Sequence, residues 1–227
     1  MHSTAWDRIE SVLLDMDGTL LDLNYDNRVW NELVPAAFAQ QHGLSVDAAK
    51  QHLLAHMRDI RGTIEFYSFE YWIAYTGIDL VEIHRQATEL VGYRPGALAF
   101  LRWVRSTGRQ CVIATNAHRD SVLVKDEVIG ICAEVDDVAS SHDYGVPKED
   151  PRFWTALQKQ YGYEPAKAMF IDDNEPVLAA AQRSHIGHVY GITTPDSSKP
   201  ARDIPNYPAF DHFAEICPAI ALSSAGL

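Results

Sequence analysis

Cysteine is scarce. Cys111, Cys132 and Cys217 are the three present in 227 residues, and no two of them form a CxxC pair. An odd, scattered set argues against a disulfide framework and against a zinc knuckle, and it fits reduced thiols in a cytosolic protein. Positive charge is also in deficit: 19 Lys and Arg stand against 31 Asp and Glu, a formal net charge of −12. The cations are scattered, without a basic run that would track nucleic acid or dock on an anionic membrane. No stretch approaches the roughly 18 consecutive apolar residues of a spanning helix, and the opening "MHSTAWDRIE" is too polar for a signal peptide. Repeats and low-complexity tracts are missing too. The expectation is a cytoplasmic protein with neither nucleic acid nor membrane as partner, its oligomeric state open. An anionic small molecule would have to be drawn in by a local feature, such as a bound cation.

What remains is ample material for a core, at 47% hydrophobic and 10% aromatic residues. The length suits one large domain, or a core domain carrying an insertion. Apolar runs predict central strands at 12–15, 110–115, 168–172 and 188–192, with a weaker one at 134–139. Helical patterns precede the later strands. "GALAFLRWVRSTG" ends at Gly108, and "EDPRFWTALQKQYG" offers Asp150 as N-cap, Pro151 in the first turn and Gly162 as terminator. "DNEPVLAAAQRSHIG" places Asn174 near a cap, and "FDHFAEICPAIAL" reads as a short closing helix. Strands alternating with helices predict an α/β fold with a parallel sheet. From Asn24 to Gly92 the pattern differs: helix follows helix, with Ser45 and Asp79 as caps and Pro35 placed to break or kink the first. "TTPDSSKPARDIPNYP" reads as a surface excursion.

The chemistry gathers at strand ends. In "LLDMDGTLLDL", Asp15 and Asp17 are two residues apart and so share a face as the first strand ends. Gly18 permits a tight turn and close approach to a ligand. Asp-Gly is often only a turn. However, "FIDDN" sets Asp172 and Asp173 at the end of another apolar strand, and parallel strands bring ends of one polarity to one edge. Four carboxylates in one crevice call for a hard divalent cation, and all-oxygen ligation suits Mg²⁺. "VIATNAH" ends a third strand with Thr115 and Asn116, whose polar groups and backbone N–H groups at a helix start suit phosphate oxygens. Lys148 in "YGVPKED" would be an ordinary solvated lysine elsewhere. Beside four acids and a phosphate its charge acquires a role.

In order, "DMDGTLLD", "ATN", "PKED" and "FIDDN" resemble the four motifs of the haloacid dehalogenase-like phosphohydrolase superfamily. Wider features, "YDN" at Tyr25–Asn27, "LVP" at Leu33–Pro35, "TNAH", "YGVPKED" and "TPDS", look like its purine 5′-nucleotidase branch, which acts on GMP and IMP. The common KPxP pattern of other branches is absent. The resemblance implies a Rossmann-like core over residues 1–23 and 93–227, with an all-helical cap over 24–92. It implies Asp15 as nucleophile, forming an aspartyl-phosphate, and Asp17 as the acid and base that serves first the leaving alkoxide and then water. Mg²⁺ would be held by Asp15, the Asp17 backbone carbonyl and Asp173, with Asp172 orienting Lys148 or ligand waters; which adjacent acid binds directly stays open. Thr115, Asn116 and Lys148 would hold the phosphoryl oxygens. The rivals are a sugar-phosphate phosphatase or a phosphomutase on the same scaffold. A non-enzymatic binding protein is disfavoured because neither the nucleophile nor the acid is lost.

The helical stretch should close over the crevice and exclude water, hinged near Leu23–Asn24 and Gly92–Pro95. Its aromatics divide between packing its own core and stacking a base. Tyr25, Tyr67 and Tyr71, with Arg61 for base carbonyl oxygens, are the candidate contacts to a nucleoside monophosphate. His52 and His56 have i, i+4 spacing but no third ligand nearby, so a helix surface is favoured over zinc. His118 follows the phosphate-binding "TNA" and is a candidate to face the site.

Overall fold

The computed structural model describes residues 6–217. Six parallel strands form one sheet in the order β3-β2-β1-β4-β5-β6, with β1 Ser11–Leu14, β2 Gln110–Thr115, β3 Asp137–Ser140, β4 Ala168–Asp172, β5 His188–Ile192 and β6 Ala209–Phe210. Val12, Leu13 and Leu14 are fully enclosed because helices cover both faces. Each such side chain contributes about 1.5–3 kcal/mol of burial. Alternate residues feed two cores. Val12 and Leu14 pack with Ile113, Ile171 and Phe100 on one side. Leu13 packs with Val112, Phe170 and Trp154 on the other. Strands β2, β4 and β5 match the apolar runs residue for residue. Strand β3 begins later than expected, because 131–134 forms a 3-10 turn first. The two-residue β6 is too short to leave a sequence pattern.

Between β1 and β2 lie helices α1 Asn24–Arg28, α2 Val34–His42, α3 Val46–Asp59, α4 Phe69–Thr76 and α5 Leu80–Arg85. They enclose their own apolar cluster, with Tyr25, Phe38, Leu53, Phe69 and Trp72 at its centre. Ser45 caps α3 by accepting from Ala48 N, and Asp79 caps α5 by accepting from Glu82 N. Pro35 acts differently from expectation. Lacking an N–H, it falls in the first turn of α2, and Val29–Leu33 widens into a π turn that carries the helical path onward. The aromatic run 64–77 forms a 3-10 turn at 65–67 and then α4, with Ser68 as cap.

After β2 and onward come α7 Arg119–Ile129, α8 Pro151–Tyr161 and α9 Glu175–Arg183, while α6 Ala97–Ser106 precedes β2. Asp150 caps α8 through Arg152 N at 2.8 Å, worth about 1 kcal/mol. Asn174 occupies the cap position of α9, but its side chain makes no capping bond. Of the expected closing helix, Phe213–Glu215 is a 3-10 turn, and the rest from 218 lies outside the described residues, as do 1–5 of the N-terminal segment. No described helix is long and apolar enough to cross a membrane.

The strand order places the site. The chain runs outward from β1 through β2 to β3, then returns to add β4 on the other flank of β1. This is the switch point at which open α/β sheets bind ligands beyond their carboxyl ends. The register sets Leu14 beside both Ile113 and Ile171, so the residues following β1, β2 and β4 emerge together.

Candidate active site

Asp15 leaves the tip of β1 with its backbone N–H still bonded to Ile171 O at 2.9 Å. Its carboxylate is buried, and so is Lys148, which enters from the loop before α8. Lys148 Nζ donates to Asp15 Oδ1 at 2.5 Å, to Asp172 Oδ2 at 2.7 Å and to Ala114 O at 3.0 Å. All three ammonium hydrogens are used. Asp172 Oδ1 accepts from Asn174 N at 2.6 Å, so both oxygens of that acid are occupied. Asp15 Oδ2 is different: it is buried and has no hydrogen-bond partner among the described residues.

Carboxylate oxygens of Asp15, Asp172 and Asp173 lie within 4.8 Å of one another. Burial pushes the Asp15 carboxyl up to about 7, with Lys148 opposing and the neighbouring acids assisting. Burial likewise raises Asp172 to about 6 and Asp173 to about 7. Such shifts show that the protein charges alone do not balance this cluster. Gly18 completes the fit. It has φ +86°, and a Cβ there would stand 2.9 Å from Asp173 Cγ, so only glycine lets that carboxylate lean over the β1 turn. Oxygen-only donors, an orphaned buried Oδ2 and a space kept by glycine suit a hard divalent cation.

Thr115 and Asn116 follow β2 into the same crevice. Thr115 Oγ1 accepts from Ala117 N at 3.0 Å. Asn116 is held at both ends: its Oδ1 accepts from Lys148 N at 2.9 Å, and its Nδ2 donates to Glu149 Oε2 at 3.0 Å. Glu149 also accepts from Tyr67 Oη at 2.9 Å, which ties the helical insert to the loop before α8. Burial, assisted by Glu149, raises the Tyr67 phenol above its ordinary value and keeps it a donor.

Above the acids opens a cavity of about 530 Å³, bordered by Asp15, Asp17, Thr115, Asn116, Lys148, Asp172 and Asp173. From the insert, Trp30, Arg61, Phe66, Tyr67 and Phe69 form its roof. Of the expected substrate contacts, Arg61 and Tyr67 border this cavity. Tyr25 and Tyr71 do not border this cavity. Tyr25 is buried in the insert's own core, its hydroxyl bonded to His84 O at 2.9 Å. Tyr71 points at His56 Nε2, 2.7 Å away. Each lies on a helix face that the insert needs for itself, and an aromatic residue type alone does not tell core from roof. His52 pairs with Tyr75 in the same manner, in a stacked His–Tyr ladder. His118 borders the cavity and pairs with Glu70 at 3.0 Å.

Sequence reasoning missed several groups. Lys125 is buried and bonds Asp17 and Asp26. Its helical phase was a usable signal, since Ser121, Val122 and Lys125 share the inward face of α7. Burial, with Asp17 assisting and Lys125 opposing, raises Asp26 to about 7. Burial keeps His84, another cavity residue, neutral, with a pKa lowered to about 3. The loop expected as a surface excursion instead belongs to the site. Its Asp196 is buried and accepts from Asn27 Nδ2 at 2.6 Å, and its Arg202 bonds the Asp173 backbone oxygen and, at 3.2 Å, Asp173 Oδ2.

Against known proteins, residues 9–185 match the model of the haloacid dehalogenase-like hydrolases. The chain is 33% identical over 221 residues to the GMP/IMP nucleotidase YrfG of Escherichia coli K12, covering 97% of this chain and 100% of that protein. Among solved structures, the HAD phosphatase of Thermococcus onnurineus superposes with a TM-score of 0.76 at 18% identity, covering 93% of this chain and 98% of its own. A putative β-phosphoglucomutase of Thermotoga maritima gives 0.65 at 18% identity, over 96% of this chain and 100% of its own. These two likenesses bear on the fold. The family match spans all four motifs, whose acidic, hydroxyl and lysine groups meet in one crevice, and the 33% relative is matched from end to end. The chain belongs to the haloacid dehalogenase-like hydrolase family.

Proposed function

We propose that the protein is a Mg²⁺-dependent phosphomonoesterase acting on purine nucleoside 5′-monophosphates, GMP and IMP foremost. The observation that carries the reaction is Asp15: one oxygen is anchored by Lys148, and the other is buried and unpartnered at the floor of the cavity. The substrate class rests on the end-to-end likeness to the GMP/IMP nucleotidase and on a cavity of about 530 Å³ roofed by aromatics and Arg61, a size suited to a small ligand. Residues 24–92 act as a cap over a core made of 1–23 and 93–227.

The Asp15 carboxylate attacks phosphorus, the P–O bond to the nucleoside breaks, and Asp17 gives the departing alkoxide its proton. A water then attacks the aspartyl-phosphate as Asp17 takes the water's proton. The P–O bond to Asp15 breaks, and inorganic phosphate leaves. Thr115 holds a phosphoryl oxygen, Lys148 attracts the phosphoryl group by its charge and binds it by giving up one of its three hydrogen bonds, and Asn116 keeps the Lys148 backbone in place while offering its second amide hydrogen. Asp15 and Asp173, with the Asp17 backbone carbonyl, would hold the cation. Asp172, whose oxygens are both engaged, orients Lys148 and the start of α9. When bound, Mg²⁺ supplies charge neutralisation between an anionic nucleophile and an anionic ester.

Phosphate release from purified protein tests this, using a panel of nucleoside monophosphates, hexose phosphates and FMN, with Mg²⁺ and with EDTA. GMP and IMP ahead of pyrimidine nucleotides, and silence in EDTA, is the expected pattern. A strong preference for hexose phosphates, or transfer of the phosphoryl group to a second sugar hydroxyl, would replace the nucleotidase reading with a sugar-phosphate phosphatase or a phosphomutase.

A further inference from the structure

Asp17 is not free to swing. Its Oδ1 accepts from Lys125 Nζ at 2.7 Å, and the same ammonium donates to Asp26 at 2.8 and 3.1 Å. Lys125 is 1% exposed, on core helix α7, whereas Asp26 sits on α1, the first helix of the insert. One enclosed cation thus joins the turn after β1, a core helix and the insert, across sequence separations of 108 and 99. The ammonium also lies 5.1 Å from the centre of the Tyr25 ring, next to Asp26 in the chain. Burial works against its charge, but Asp17 and Asp26 outweigh burial and raise its pKa above the ordinary lysine value.

Such a triad is weak evidence of stabilisation, because apolar residues of similar volume usually serve as well. Its effect on Asp17 is more specific: the two oxygens become inequivalent. Oδ1 is occupied by Lys125, while Oδ2 has no hydrogen bond among the described residues and Asp17 borders the cavity. We propose that Lys125 is a positioning residue for the reaction: it anchors Asp17 Oδ1, leaves Oδ2 to carry the proton, and through Asp26 ties the aim of that carboxylate to the seating of the insert. The inference rests on the phosphomonoesterase reading above. In the first half-reaction the Oδ2 proton passes to the leaving oxygen as its bond to phosphorus breaks. In the second, Oδ2 takes a proton from water as the water oxygen bonds phosphorus and the bond to Asp15 breaks. The Lys125–Oδ1 hydrogen bond persists through both.

Two aryl esters of nearly equal size separate this from a structural role. p-Nitrophenyl phosphate has a leaving group that departs without a proton, and phenyl phosphate needs one. The value of kcat/KM reports the step in which that group departs. For Lys125→Met, shown folded by its melting curve, kcat/KM with Mg²⁺ should fall at least about tenfold further on phenyl phosphate than on p-nitrophenyl phosphate, part of the 10²–10⁴ that general acids contribute. Asp26→Asn keeps the Lys125–Asp17 pair and loosens the tether; its loss should have the same direction and lie between wild type and Lys125→Met. Equal losses on the two esters, or none, would overturn the inference. Where Lys125→Met does not fold, Asp26→Asn decides by the same comparison. Failure of the underlying reading looks different: the wild type itself would release phosphate neither from the two esters nor from GMP and IMP.

Discussion

Lysine 148 should be the residue on which metal-free stability depends most steeply with pH. Replacing it by methionine keeps the volume and deletes bonds at 2.5, 2.7 and 3.0 Å to Asp15, Asp172 and the Ala114 carbonyl. Two carboxylates that are 5% and 1% exposed then lose their shared cation. Breaking one side of a buried ion pair costs about 3–5 kcal/mol. For a chain of this size that corresponds to a fall in Tm of about 6–20 °C. The cost is not constant. Asp15 and Asp172 are already raised to about 7 and about 6, and without Lys148 they must rise further. A carboxyl whose folded pKa lies above its unfolded one binds more protons when folded, so its stability is greatest at low pH and is lost as pH rises through the folded value. Melting curves in EDTA from pH 5 to pH 8.5 should show Lys148→Met close to wild type at the acid end and far below it at the alkaline end. A deficit that is the same at every pH would mean that the acids are not buried against that ammonium, and the electrostatic account of the site would be wrong.

Asp15→Asn should abolish phosphate release while leaving the melting temperature within a few degrees of wild type or above it; substantial remaining turnover would refute the nucleophile assignment. Gly18→Ala forces a left-handed alanine, costing about 1–2 kcal/mol, and drives a Cβ to 2.9 Å from Asp173 Cγ. Activity titrations should require more Mg²⁺, and an unchanged requirement would separate Asp173 from the cation. Tyr25→Phe strips a buried partner from His84, costing about 1–3 kcal/mol. It should lower Tm and leave KM for IMP unchanged; a raised KM with an unchanged Tm would return Tyr25 to the substrate.

Much of this site can be read before any coordinates. Asp15, Thr115, Asp172 and Asp173 each terminate an apolar run, and strand-end chemistry follows once the strands are parallel. The Asp150 and Ser45 caps were equally legible, since a cap is a contact over two or three residues. The roof was not. Tyr25 and Tyr67 are both aromatic residues of the insert, yet one is sealed in its core and the other bridges to Glu149. Which is which depends on how helix Asn24–Arg28 and the 3-10 turn 65–67 pack against the rest of the fold, and the sequence does not announce that. Arg202 and Asp196 were hidden for a related reason: a Pro- and Ser-rich loop gives no periodicity, so nothing local says that it folds back onto the crevice.

The sequence by itself determined the α/β alternation and the strands that end in acids. These are consequences of local pattern and of the two-residue period of a strand. Only the tertiary structure decided that Lys148 is spent between Asp15 and Asp172, that Asp172 is saturated while Asp15 keeps a bare oxygen, and that Lys125 grips Asp17 and Asp26 together. Apart from the Asn174 N–H on Asp172, those choices hang on contacts between residues 24 to 133 positions apart, where chain pattern carries no information and only the packing of helix against sheet sets which groups meet.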